Sequence, residues 1–198
     1  MALLAEKRGK IIDAAVAEFR ERGFAGASMD RVATRAEVSK RTVYNHFESK
    51  EALFRAILDL MAESCNAAFA VTYVPGTPIE DQIRGLGWAE GKLLTSPDFM
   101  KLARMVMGET MRDPELAAEM NCKLERIAAF QEFMEAAAAD GALAIDDPAR
   151  AADQFLGLIK SQAFWPAIHS GEIVSEAEME RIVETTTELF LSFYKPKC

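Results

Sequence analysis

Apolar residues recur three and four positions apart along almost the whole chain. No stretch alternates residue by residue, so the pattern predicts helices throughout and no strand. The first helix is predicted over about Lys7–Arg22, with Ile11, Ile12, Ala15, Val16 and Phe19 as its apolar stripe. Gly23 suits the left-handed position just past its end, which lets Phe24 fold back onto Phe19. Ser28 is an N-cap for a short second helix, with Asp30 at the positive end of its dipole and Met29, Val32, Ala33 and Ala36 on one face. Val38 fills a turn. Ser39 caps a third helix, roughly Lys40–His46. Ser49 caps a fourth, with Glu51 in its first turn, and Leu53, Ile57, Leu60 and Met61 carry its apolar face to about Thr72.

Tyr73–Pro78 holds two prolines and a glycine and is a loop. Beyond it the spacing predicts helices over 79–95, 97–111, 113–139, 147–169 and 175–194. They are separated at Ser96-Pro97, Asp113-Pro114, Asp140-Gly141, Asp147-Pro148 and Ser170-Gly171, where proline in a first turn behind Ser or Asp is a helix start. The expectation is an all-α chain of nine helices, with a head over 1–53 and a body over 54–198.

Composition narrows the function classes. Half of the 198 residues are apolar and 27% are charged, an ordinary globular balance. No run of eighteen apolar residues offers a membrane span, and the start lacks the basic flank and apolar stretch of a signal peptide, so a cytoplasmic location is expected. Cys65, Cys122 and Cys198 are far apart and form no CxxC pair. His46 and His169 lie near none of them, so neither a disulfide framework nor a metal site is expected. Gly85-Leu-Gly-Trp-Ala-Glu-Gly91 has the wrong spacing for a dinucleotide loop and follows no strand. There is no GxSxG, HExxH or P-loop, so neither catalysis nor a cofactor is expected. The formal charge of −8 is uneven: residues 1–50 carry ten Lys or Arg against seven Asp or Glu, and the remainder thirteen against twenty-four. A weakly basic head on an acidic body presents one end to a polyanion.

Residues 28–53 carry the chemistry. Two short capped helices separated by a few residues, with a longer helix behind them, form a helix-turn-helix. Val43 and Phe47, four apart, anchor the third helix inward and leave Lys40, Arg41, Tyr44 and Asn45 outward. Arg41 and Lys40 suit the guanine edge and Asn45 the adenine edge. The hydroxyls of Thr42 and Tyr44, and Lys50 at a helix start, suit phosphate oxygens.

The segment Thr42-Val-Tyr-Asn-His-Phe-Glu-Ser-Lys50, with Leu53 behind it, resembles the TetR family signature. Arg22-Gly-Phe24, Ser28-Met29 and the stripe from Ile11 to Phe19 fall where that family has them. The likeness covers about residues 7–55. It implies that Thr42, Tyr44 and Lys50 hold phosphates, that Lys40, Arg41 and Asn45 face bases, and that His46 lies near the DNA backbone. Ser28 and Ser39, at the starts of the second and third helices, complete the DNA-facing set. It further implies a homodimer on a pseudo-palindromic double-stranded operator, and a repressor released by a small ligand. The alternative is a DNA-binding regulator switched by a protein partner or by no effector.

The body from Phe99 to Glu109, followed by Asp113-Pro-Glu-Leu116, also resembles the AefR-like subset. For dimerisation the favoured helices are 147–169, with Phe155, Ile159, Ala163 and Pro166, and 175–194, with Ile182, Val183, Leu189, Phe190 and Phe193. Small residues such as Gly157 and Ser161 would let helices approach. Trp88, Met105, Phe130, Met134, Phe155 and Trp165 are the candidate pocket lining. Glu109 shares a stripe with Leu102, Met105 and Val106. A carboxylate there either binds a cationic ligand or meets an arginine or a helix end.

Overall fold

The structure, a computed structural model, describes residues 2–68, 71–123 and 126–196, without the side chains of 2–5 and 121–127. Cys198 and the side chain of Cys122 thus lie outside the described residues, and Cys65 is buried. Among the described residues there are eleven helices and no strand: α1 (Ala2–Gly26), α2 (Met29–Arg35), α3 (Lys40–His46), α4 (Lys50–Ala68), α5 (Ile79–Leu94), α6 (Pro97–Thr110), α7 (Pro114–Lys123), α8 (Arg126–Ala139), α9 (Pro148–Gln162), α10 (Phe164–Ser170) and α11 (Glu176–Tyr194). No helix among them is long and apolar enough to cross a membrane.

The sequence predicted nine helices, and the difference has two sources. The stretch 113–139 is described as α7 and α8, on either side of positions 124–125. The stretch 147–169 divides at Ala163, whose φ of −115° departs from the helical value. Pro166 has no N–H for the carbonyl of Gln162, and its ring crowds that carbonyl, so α9 ends there and α10 starts afresh. Helix α4 is also shorter than expected, for Val71 and Thr72 are already outside it.

The chain forms two compact units. The first comprises residues 1–62 and 102–123, and the second 63–101 and 124–198. The expected head, 1–53, lies wholly within the first. Its core is built from Ile11, Ile12, Ala15 and Phe19 of α1, Val32 of α2, Val43 of α3, and Leu53, Phe54 and Ile57 of α4, each no more than 5% exposed. Phe19, Phe24 and Phe54 close into an aromatic triad with centroid separations of 5.3–5.7 Å.

Two turns set the head. Glu37, at φ 56°, is a left-handed cap to α2: its N–H bonds to Thr34 O and that of Val38 to Ala33 O. At the end of α1, Gly23 takes φ 68° and ψ 167°. That is not the left-handed helical position but a region that side chains hardly enter. Gly23→Ala is therefore expected to cost about 1–3 kcal/mol of stability, read from the denaturant midpoint. A midpoint equal to that of the parent protein would show that the turn has another conformation open to it.

In the second unit α5 packs closely on α11. A Cβ at Gly87 would stand 3.0 Å from Val183 Cγ1, and one at Gly91 3.0 Å from Met179 Cγ. Gly87 and Gly91 thus serve helix packing, while a Cβ at Gly85 would meet nothing within 4 Å. Helices α8, α9 and α11 enclose Phe130, Phe155 and Phe190, which touch in series at 6.3 and 5.2 Å.

Candidate nucleic-acid interface

The helix-turn-helix is capped at each start. Ser28 Oγ accepts from Arg31 N–H at 3.3 Å, Ser39 Oγ from Thr42 N–H at 3.1 Å, and Ser49 Oγ from Ala52 N–H at 3.1 Å. The hydroxyls of Ser39 and Thr42 share a further bond at 2.8 Å. Each cap satisfies an N–H that the first turn leaves without a carbonyl. Ser49 and the backbone also act on Glu51. A hydrogen bond from its own N–H, then one from the Ser49 hydroxyl, holds its carboxyl below the usual glutamate value.

Val43 is fully buried and Phe47 is 5% exposed, so α3 is pinned by its inner face. Arg41, Tyr44 and Asn45 are exposed and have no polar partner among the described residues. Lys40 also faces outward, but its ammonium stands 2.5 Å from Asp30 of α2. His46 is half-buried, its ring tilted against Phe47.

Lys50 has a different setting. Its ammonium donates to the carbonyl of Phe24 at 2.7 Å and reaches those of Ala25 and Ala27 at 3.4 Å. It also stands 4.5 Å from the centroid of the Phe24 ring. A cation over carbonyl oxygens at the turn after α1 satisfies groups left open there.

The remaining cations of α2 are paired too. Arg31 Nε lies 2.5 Å from Oε1 of Glu18, which is 1% exposed, and Arg31 also donates to Gly26 O. Arg35 forms a two-pronged bond to Glu21 at 2.7 and 2.9 Å and lies 3.7 Å from Glu18. Its hydrogen bond pulls the Glu21 carboxyl below the usual value, and the same bond raises that of Arg35. Glu18 shares the face of Ile11, Ala14 and Ala15 on α1, so its burial follows from helical spacing, a signal that the reading of the sequence did not use.

The candidate pocket residues fall in both units. Phe130, Met134 and Phe155 are fully buried in the second, and Phe130 and Phe155 are in ring contact. Trp88 is half-buried. Trp165 is 40% exposed on α10, stacked on His169 with Phe164 at its edge. Met105 and Glu109 belong to the first unit. Met105 is buried, and Glu109, 13% exposed, accepts from Phe24 N–H and from Arg112, both at 3.1 Å. A helix end and an arginine are thus what this carboxylate meets. Among the described residues of the second unit the buried acid is Glu90, 4.0 Å from the ammonium of Lys160. It shares the stripe of Ile83, Gly87 and Leu94, a sequence signal that was there to be read.

On the residues expected at a dimer face, the structure separates two groups. Phe155, Ile159, Ala163, Ile182, Val183 and Phe190 are buried within their own unit. Leu189 and Phe193 are 52% and 74% exposed, and with Gly157, Leu158 and Ser161 of α9 they border an open apolar groove of about 390 Å³.

Comparison with known proteins bears on the whole chain. Residues 11–57 match the model for bacterial regulatory proteins of the tetR family, and residues 81–196 that for the C-terminal domain of AefR-like transcriptional repressors. The HTH-type transcriptional regulator UidR of Escherichia coli K12 is 33% identical over 130 residues, 62% of this chain and 61% of UidR. The chain thus aligns with less than two thirds of that relative's length. A TetR family regulator from Pseudomonas syringae pv. tomato DC3000 has a similar crystal structure, with a TM-score of 0.82 and 39% identity, covering 97% of this chain and 98% of that one. The flavonoid-responsive regulator FrrA superposes with a TM-score of 0.76 at 29% identity over 98% of this chain and all of FrrA. With residues 11–57 and 81–196 matched by family models, and a solved relative alike from end to end, the protein belongs to the TetR family of bacterial regulators.

Proposed function

We propose that the protein is a sequence-specific DNA-binding transcriptional repressor. Two copies read the halves of a pseudo-palindromic operator and leave it when a small effector binds. Residues 1–53 would supply the reading head and 54–198 the dimer contacts and the effector site. The observation that carries this is the division of α3, with Val43 and Phe47 buried and Arg41, Tyr44 and Asn45 outward and unengaged. A short helix fixed by one face, with a guanidinium near its N-terminus, suits a B-form major groove. Ser28, Ser39, Thr42 and His46 would border the phosphates, their hydroxyl and ring donors adding to the caps. Lys40 would exchange Asp30 for DNA.

Release follows if the effector prefers a conformation whose heads no longer fit the half-site spacing, roughly 34 Å. FrrA is flavonoid-responsive by name. Planar aromatic compounds of that kind are the first to screen here. The full burial of Phe130, Met134 and Phe155 supports a second reading, in which a partner protein, or no effector, sets DNA binding. Under that reading no small molecule changes operator affinity.

Selection of bound fragments from random DNA tests the function, and Arg41→Ala then tests the geometry. The variant is expected to relax base preference at one position of each half-site by about 1–3 kcal/mol, with little change in the dependence of affinity on salt. Unaltered discrimination in a titration series of single-base operator variants would place α3 in another orientation.

A further inference from the structure

Phe24 is gripped at three points. Its N–H donates to Glu109 Oε1 at 3.1 Å, its carbonyl accepts from Lys50 at 2.7 Å, and its ring lies among Phe19, Phe54 and the Lys50 ammonium. The first grip follows from the backbone. Gly23, at ψ 167°, turns the next peptide out of the α1 ladder. Phe24 then opens a new turn, in which Ala27 N–H bonds back to Gly23 O at 3.1 Å. The leading N–H of a turn has no carbonyl behind it and favours an anion. Glu109 supplies one from 85 positions along the chain, shielded from solvent to 13% exposure and braced by Arg112.

Lys50 is the first residue of α4, and α3 ends at His46, so the carbonyl side of Phe24 is tied to the frame that holds the reading helix. Glu109 is the penultimate residue of α6, a helix whose opening residues, 97–101, belong to the second unit. The line Glu109–Phe24–Lys50 therefore joins the end of α6 to the start of α4.

We infer that Glu109 is a positioning residue: through the Phe24 backbone it holds the turn after Gly23, and with it the Lys50 end of α4, in the place that sets α3 for reading the operator. This rests on the DNA-binding reading above. A charge-assisted hydrogen bond holds over a few tenths of an ångström. Removing its acceptor therefore frees the Phe24 backbone.

The test uses the full chain with a selected operator and the same fragment lengthened by one base pair between half-sites. Glu109→Ala is expected to bind the operator about tenfold more weakly and to lose most of the preference for the shorter spacing. Glu109→Gln keeps an oxygen that accepts from Phe24 N–H and is expected to retain that preference. A purely structural role would lower the melting temperature and leave spacing preference intact, so wild-type preference in Glu109→Ala overturns the inference. Should that variant not fold, Glu109→Asp decides. It keeps the charge and shortens the reach by one methylene. Loss of preference in a folded Glu109→Asp supports the inference, and wild-type preference overturns it. If the unaltered protein selects no DNA at all, the DNA-binding reading itself falls, and this inference with it.

Discussion

Replacing Arg31 and Arg35 together by alanine is expected to destabilise the first unit by about 3–5 kcal/mol, near the lower figure because both arginines are partly hydrated. The reason lies in Glu18, which is 1% exposed on the inner side of α1. Arg31 stands 2.5 Å from one of its oxygens and Arg35 3.7 Å from the other. Each arginine is itself 36–47% exposed, so the pairs contribute little as pairs. The large effect arises when both cations go and a desolvated carboxylate is left behind. Either single variant should therefore cost much less than the double. Adding Glu18→Leu to the double variant is expected to restore most of the loss, because the buried charge is then gone. Urea midpoints of the parent and the four variants decide the matter. A double variant within about 1 kcal/mol of the parent would mean that Glu18 is hydrated in solution.

The second large effect concerns α11. Leu189→Glu with Phe193→Glu is expected to give a monomer by sedimentation at micromolar concentration. It is also expected to weaken operator binding about 10²–10⁴-fold, since the second head is no longer tethered to the first. Both side chains are exposed in the protomer, beside an apolar groove edged by the small residues Gly157 and Ser161. Such a patch of α9 and α11 suits a self-complementary contact about a two-fold axis, and carboxylates there would face their own copies. The melting temperature of the protomer should change little. A double variant that still sediments as a dimer would move the subunit contact to another face.

The head was largely legible in the sequence because its signals are local. Ser28, Ser39 and Ser49 cap the helices they were expected to cap, and Phe24 returns to Phe19 around Gly23. What periodicity cannot convey is the partner of an apolar stripe. Phe155, Ile159 and Phe190 were read as an intersubunit face, yet they pack within one unit, and the exposed pair Leu189 and Phe193 lies on the neighbouring flank of α11. Pro166 was visible, but the stripe around it concealed the break that a missing N–H imposes. Pairings across long separations were the least accessible. Nothing near Lys50 in sequence announces the carbonyls of residues 24–27, and nothing near Glu109 announces Phe24.

The internal pairing of the head's cations has a kinetic consequence. Arg31, Arg35, Lys40 and Lys50 are already answered by carboxylates or carbonyls. The field projected toward arbitrary duplex is accordingly weaker than the ten basic residues of the first fifty suggest. If the protein reads DNA as proposed, it is expected to dwell briefly on the wrong sequence and to be held where base edges rather than phosphates complete the fit.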